Sequence, residues 1–168
     1  IRRHDRPGPR YTSYPTAVQF HGEVGSFDLL HALRDSRKAK RPLSLYVHVP
    51  FCATRCGYCD FNTYTPGELG SAASTPAYVE ALTAEIEMAA RVLPPTRPLD
   101  TVFFGGGTPT MLAPGQLAVI LDGLRDRFGL AEDVEVTTEA NPETVGPAEL
   151  AALREAGFTR VSIGMQSA

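Results

Sequence analysis

From Leu43 to Val49 the chain is a short, largely apolar run, the pattern of a buried strand. Tyr78, Leu82 and Ile86 then recur at i, i+4 spacing and continue through Ala89 to Leu93, which predicts an amphipathic helix. Thr75-Pro76 reads as its N-cap followed by proline at the first helical position. Thr101 to Phe104 predicts a second strand, and Leu117, Ile120, Leu121, Leu124 and Phe128 a second helix that ends near Gly129. Val134 to Thr138 predicts a third strand, Leu150, Leu153 and Ala156 a third helix closed by Gly157, and Arg160 to Met165 a fourth strand. Strands that alternate with helices imply βαβ units, a parallel sheet and right-handed crossovers. An open doubly wound sheet and part of a (β/α) barrel both satisfy this pattern, and periodicity does not choose between them.

Ahead of this repeat, residues Ile1 to Gly25 are rich in Pro, Gly, Tyr and Thr and show no helical period, so they read as an extended arm. Phe27, Leu30 and Leu33 mark a short helix, and the basic stretch from Arg34 to Arg41 is explained by cations gathering at its C-terminal end. The expected organisation is an arm and short helix over 1–41, then an α/β domain over 42–168. The chain opens at Ile1 rather than Met and stops at Ala168 directly after a strand-like run. Both ends therefore read as cuts, with the second domain truncated.

Composition narrows the class. A chain of 168 residues with 43% hydrophobic residues and a net charge of −3 suits one globular domain or a piece of a larger one. Mild acidity gives no reason to expect nucleic acid as a partner. No apolar run reaches the roughly 18 residues of a membrane span, and no secretory leader is visible. The three cysteines all fall between Cys52 and Cys59. A disulfide scaffold would spread an even number along the chain, whereas clustered thiols fit metal chemistry in a reducing compartment, so the cytoplasm is the expected location.

Four motifs carry candidate chemistry. Cys52-Ala-Thr-Arg-Cys56-Gly-Tyr-Cys59 directly follows the first strand, which puts it at the C-terminal strand end where parallel α/β sheets bind ligands. Thiolates are the ligands that Fe–S clusters select, and three of them hold three irons of a cubane and leave the fourth open. Zinc is the alternative; it wants a fourth ligand, and the nearest, His48, sits within the strand pattern, poorly aimed at the loop. Unrelated buried thiols are a further alternative. Gly105-Gly106-Gly107-Thr108-Pro109 follows the second strand. Its glycines allow close backbone approach to a ligand, although a plain strand-to-helix turn would explain them too. Glu139 ends the third strand and Gln166 the fourth. Either alone is a solvated loop residue; the functional reading comes from all four motifs sharing one rim.

Together these motifs resemble the radical-SAM superfamily, and more narrowly the oxygen-independent coproporphyrinogen III oxidase family with its sister group of haem chaperones. The resembling segments are Tyr46-Val-His-Val-Pro-Phe-Cys52, the cysteine loop, Phe104-Gly-Gly-Gly-Thr-Pro-Thr110, Glu139-Ala-Asn-Pro and Arg160-Val-Ser-Ile-Gly-Met-Gln-Ser167. The resemblance implies a partial TIM-like (β/α) barrel, of which about four strands are present here. It implies a 4Fe-4S cluster on Cys52, Cys56 and Cys59. It implies S-adenosylmethionine (SAM) contacts from Tyr46, Tyr58, Gly106, Gly107, Thr108, Glu139 and Gln166. No catalytic residue is assigned beyond the cluster and SAM.

The implied activity is that of a radical-SAM oxidoreductase of porphyrin metabolism, fed electrons by a flavodoxin- or ferredoxin-like reductant. It cleaves SAM to a 5′-deoxyadenosyl radical and decarboxylates coproporphyrinogen III propionates. The arm Pro7-Gly-Pro-Arg10-Tyr11-Thr-Ser-Tyr14-Pro-Thr-Ala17 is similar to the oxidase's N-terminal segment, which makes Arg10, Tyr11 and Tyr14 substrate-side candidates. The oxidase carries a fourth cysteine two residues after the third. Phe61 stands there, and Cys59-Asp60-Phe61-Asn62-Thr63-Tyr64 is similar to the chaperone group, which binds haem without decarboxylation. A zinc-stabilised binding module is the rival from another class.

Overall fold

In the computed structural model the chain divides into two compact units, Ile1–Arg41 and Pro42–Ala168. The residues described are 42–57, 59–70, 74–92 and 97–165, together with Gly25, Phe27, Asp28, His31 and Asp35. In the first unit Phe27, Asp28, His31 and Asp35 are helical, at the place where the apolar spacing puts a short helix. The Asp28 carboxylate accepts the Gly25 N–H at 3.0 Å at the helix start. Arg10, Tyr11 and Tyr14 lie outside the described residues.

The second unit runs β1 (Ser44–Val49), α1 (Pro66–Leu69), α2 (Thr75–Val92), β2 (Leu99–Gly106), α3 (Pro114–Phe128), β3 (Leu130–Ala140), α4 (Pro147–Ala156) and β4 (Arg160–Ile163). The four strands lie in chain order, β1-β2-β3-β4, and every pairing is parallel. Strand alternation gives the sheet two different faces. Val47, Val49, Val102, Phe104 and Val136 are buried in one core with Val79, Ile86, Leu117, Ile120, Leu121, Leu124 and Leu153. Each such side chain contributes about 1.5–3 kcal/mol on burial, so the α3 stripe is a principal anchor of the sheet. Helix α2 packs on α3, and α3 on α4, over this one apolar face.

The opposite face is largely polar. Register aligns Tyr46, Phe103, Thr137 and Arg160 in one row across all four strands. Beside that row Thr101 Oγ1 donates to Ser44 Oγ at 2.8 Å, and Glu135 Oε1 accepts from Thr137 Oγ1 at 3.0 Å and Arg160 Nη1 at 3.1 Å. A doubly wound sheet reverses its strand order and carries helices on both faces. Here the order never reverses and α2, α3 and α4 share one face, so the four strands are an arc of a (β/α) barrel and the polar face is its interior.

Element boundaries differ from the sequence expectation in instructive places. Ser74, not Thr75, caps α2: its hydroxyl accepts the Ala77 N–H at 3.3 Å, while Thr75 Oγ1 accepts from Gln116 Nε2 of α3 at 3.1 Å. Strand β2 runs into the glycines because Gly105 and Gly106 still pair with His48 and Val49. Strand β3 ends at Ala140, one residue past Glu139, and β4 ends at Ile163, short of Met165. Helix α1 has no apolar period to announce it. It starts where the Glu68 carboxylate accepts from the Thr65 N–H at 2.7 Å and the Thr65 hydroxyl at 3.0 Å.

Candidate functional site

Above the C-terminal strand ends lies a cavity of about 480 Å³ lined by Cys52, Cys56, Cys59, Gly106, Gly107, Thr108, Glu139 and Ser162 among others. It opens where parallel α/β folds bind ligands. The first strand ends at Val49, and the chain then leaves the sheet in a loop whose two limbs are tied together. Tyr64 N–H donates to Pro50 O at 2.7 Å, Cys52 N–H donates to Tyr64 O at 3.0 Å, and Phe51 bridges Tyr64. Within the loop Cys59 N–H donates to Cys56 O at 3.0 Å, a tight turn that brings these two thiols onto the same wall.

All three thiols are free and partly buried. Among the described residues no three His, Cys, Asp or Glu side chains gather on a point close enough to hold a single ion. A mononuclear zinc site needs four donors within about 2.0–2.3 Å of one centre. A polynuclear cluster takes each thiolate on a different iron, and all three thiols line the one cavity, so they fit such a cluster in donor chemistry. His48 is engaged elsewhere. Nε2 lies 2.9 Å from the Asn62 carbonyl, which only accepts, so Nε2 donates there, and Nδ1 lies 3.0 Å from the Tyr46 hydroxyl oxygen.

The glycine turn is shaped by the protein itself. A Cβ on Gly107 would lie 2.5 Å from Phe51 O and 3.0 Å from Cys52 Sγ, and one on Gly106 would lie 2.6 Å from the His48 ring. Gly106 also has φ 113°, a conformation that side chains disfavour. These glycines let β2 pass directly beneath the cysteine loop. The turn is also bonded to the chain leading into that loop: Gly107 N–H donates to Val49 O at the end of β1 at 2.8 Å, and Thr108 N–H to Phe51 O at 2.7 Å.

Glu139 projects from β3 into this turn, and its Oε2 accepts the Gly106 N–H at 3.2 Å. Its charge has a second effect. Burial first, and the Glu139 carboxylate second, hold the Tyr46 hydroxyl above its ordinary pKa. The Tyr46 ring stacks on Phe103 with centroids 6.1 Å apart and borders a different cavity, between β1 and α2. The structure thus brings Cys52, Cys56, Cys59, Gly106, Gly107, Thr108 and Glu139 to one wall and sets Tyr46 beside it on the same sheet face. Tyr58 and Gln166 lie outside the described residues.

Several wall residues were not singled out from sequence: Arg55, Thr63, Met111, Asn141, Thr144 and Ser162; Phe61, which the sequence did single out, lies on the same wall. Asn141 is a case where a signal existed. Asn-Pro marks a turn, and the Asn141 side chain accepts the Glu143 N–H at 3.1 Å while Thr144 Oγ1 donates to Asn141 O at 2.8 Å, which shapes the rim after β3.

A barrel arc with a three-thiol loop after its first strand and a glycine turn after its second defines an α/β protein whose candidate site is a cavity walled by three thiols. Residues 46–168 match the radical SAM superfamily, and the chain belongs to that superfamily. It is 49% identical over 99% of its length to the oxygen-independent coproporphyrinogen III oxidase of Pseudomonas aeruginosa, covering 36% of that protein. It is 56% identical over 76% of its length to the heme chaperone HemW of Mycobacterium tuberculosis H37Rv, covering 32% of it. Among solved structures it is similar to coproporphyrinogen III oxidase (HemN) of Escherichia coli, described as a radical SAM enzyme, with a TM-score of 0.79, 36% identity, and coverage of 94% of this chain and 35% of that one. The chain therefore spans about a third of the length of the relatives it matches. Among the described residues no helix is long and apolar enough to cross a membrane.

Proposed function

We propose that this chain provides the SAM-cleaving site of an oxygen-independent coproporphyrinogen III oxidase-type oxidoreductase of porphyrin metabolism, with a cluster held by Cys52, Cys56 and Cys59. The observation that carries this reading is the convergence of three free thiols, the Gly106-Gly107-Thr108 turn and Glu139 on one cavity. When bound, a 4Fe-4S cluster and SAM supply a reductive cleavage that yields a 5′-deoxyadenosyl radical. The chain's own residues do the positioning. The three thiolates would hold the cluster, Gly106 and Gly107 keep the turn free of side-chain bulk, and Thr108 and Glu139 offer polar partners. Glu139 is the natural partner for a ligand ammonium because a carboxylate makes a charge-assisted hydrogen bond with it. Tyr46, Tyr58 and Gln166 are proposed as further SAM contacts, and Arg10, Tyr11 and Tyr14 as substrate-side groups. A flavodoxin- or ferredoxin-like protein is the proposed reductant, and the clustering of the three cysteines in one loop favours a reducing, cytoplasmic setting.

The test is anaerobic reconstitution with iron and sulfide. The wild-type chain is expected to take up both and to give a reduced-state EPR signal that SAM shifts. Serine at any of the three cysteines is expected to abolish the signal. Zinc without sulfide in the wild type, or undiminished iron in the triple serine variant, refutes the assignment.

A second reading, haem chaperone without decarboxylation, is favoured by Phe61. It lines the thiol cavity and is 59% exposed, at the position where the resemblance gives the oxidase a cysteine. A phenyl ring neither donates a proton nor acts as a thiol. Anaerobic incubation with coproporphyrinogen III, SAM and a reductant separates the two: protoporphyrinogen formation supports the oxidase, and haem binding without turnover supports the chaperone.

A further inference from the structure

Arg55 lies inside the cysteine loop, immediately before Cys56, yet its contacts are all with the limb that returns from the loop. Its guanidinium donates to the carbonyl of Thr63, and its Nη2 stands 3.1 Å from Glu68 Oε1. Thr63 is only 2% exposed, so that carbonyl has little access to water. The neighbouring carbonyls are also taken. Asn62 O accepts from His48 Nε2 at 2.9 Å, and Tyr64 O accepts the Cys52 N–H at 3.0 Å. Three consecutive carbonyls of the return limb are thus each held by a different part of the site: the first strand, the middle of the loop and the first cysteine.

Of these contacts only the Arg55 one reaches the stretch between Cys52 and Cys56. Without it, that stretch keeps its ends tied while its middle loses its link to the return limb. We propose that Arg55 is a positioning residue for the thiol loop: through the Thr63 carbonyl it holds the Cys52–Cys56 segment in the shape that receives a cluster. This rests on the cluster reading given above. The charged donor suits the task, since the one nitrogen Nη2 carries two N–H groups and reaches the carbonyl and the carboxylate at once. The two contacts differ in weight. Arg55 and Glu68 are both about half exposed, where an ion pair contributes little, whereas the Thr63 carbonyl is buried and costly to leave unpaired.

The experiment compares the wild-type chain with R55A, R55K and E68Q in two measurements. The first is the rate at which the metal-free cysteines react with an alkylating reagent, resolved by residue through mass spectrometry. The second is the rate of iron loss to a chelator after anaerobic reconstitution. R55A is expected to raise alkylation at Cys52 and Cys56 and to speed iron loss about tenfold, the factor given by loss of one charge-assisted hydrogen bond of about 1.4 kcal/mol. R55K keeps a charged donor on a shorter side chain and is expected to fall between R55A and wild type. E68Q leaves the Thr63 bond in place and is expected to stay within about twofold of wild type. R55A rates equal to wild type in both measurements overturn the proposal. An E68Q effect as large as that of R55A overturns the assignment of the Thr63 carbonyl as the anchor. A wild-type chain that takes up no iron refutes the cluster reading instead, and the alkylation rates still decide whether Arg55 shapes the loop.

Discussion

Replacing Gly107 with alanine tests whether the glycine turn serves the fold or only a ligand. The new Cβ would lie 2.5 Å from Phe51 O, 2.9 Å from Phe51 C and 3.0 Å from Cys52 Sγ. An ordinary contact begins at 3.4 Å, so the strand and the loop must separate by most of an ångström, and the obstacle is backbone rather than a movable side chain. Overpacking of this kind costs about 1–3 kcal/mol. The separation also strains the Thr108 N–H to Phe51 O bond, now 2.7 Å, whose loss adds about 1 kcal/mol. The expected destabilisation is about 2–4 kcal/mol, or a fall in midpoint of roughly 5–15 °C for a domain of this size. The assay is thermal unfolding of the metal-free chain followed by circular dichroism. Gly123 of α3 supplies the control, because a Cβ there meets nothing within 4 Å. G123A is expected to gain about 0.5–1 kcal/mol through better helix propensity. A G107A midpoint within 1 °C of wild type would falsify the view that β2 must run bare beneath the cysteine loop. Iron uptake by G107A is expected to fall along with stability, since the displaced atoms include Cys52 Sγ.

Two further predictions concern groups beside the site. E139Q is expected to lower the Tyr46 pKa part of the way to its ordinary value, because burial, the larger cause of its elevation, remains; a tyrosinate absorbance titration against a Y46F background reads the shift, and no change would show that the two groups do not interact. The Tyr78 hydroxyl donates to His48 O at 2.5 Å, and burial, followed by the Glu85 and Tyr46 charges, pushes it up to about 12 from an ordinary 10.0. The folded pKa is the higher, so the unfolded chain loses its proton first. The contribution is whole below pH 10 and is lost as pH rises toward 12. Y78F is expected to cost about 0.5–1.5 kcal/mol at neutral pH and to flatten this alkaline decline, as measured by urea midpoints across that range; an equal decline in both proteins would refute the role of Tyr78.

The sequence by itself determined the repeat and marked the residues of the candidate site. Alternation of short apolar runs with i, i+4 stripes was enough for parallel βαβ units, because burying strands on one side of helices leaves that periodicity in the residues themselves. Thiol clustering after the first strand, glycines after the second and Glu139 at the third were visible because each depends on residue type at a strand end. What the sequence left open was decided by packing. Whether the sheet is doubly wound or an arc of a barrel depends on which face each helix covers and on strand order, both long-range facts. The same holds for Thr75: its type suits an N-cap, but Gln116 from another helix claims its hydroxyl, and Ser74 caps instead. Strand ends moved for a related reason, since Gly105 and Gly106 belong to β2 only because His48 and Val49 pair with them. The glycines read as room for a ligand, and the tertiary structure adds that Phe51, Cys52 and His48 already occupy the space a side chain would need. Arg55 carried no local signal, because its partner is a backbone carbonyl eight residues on, and any residue at Thr63 would present the same atom.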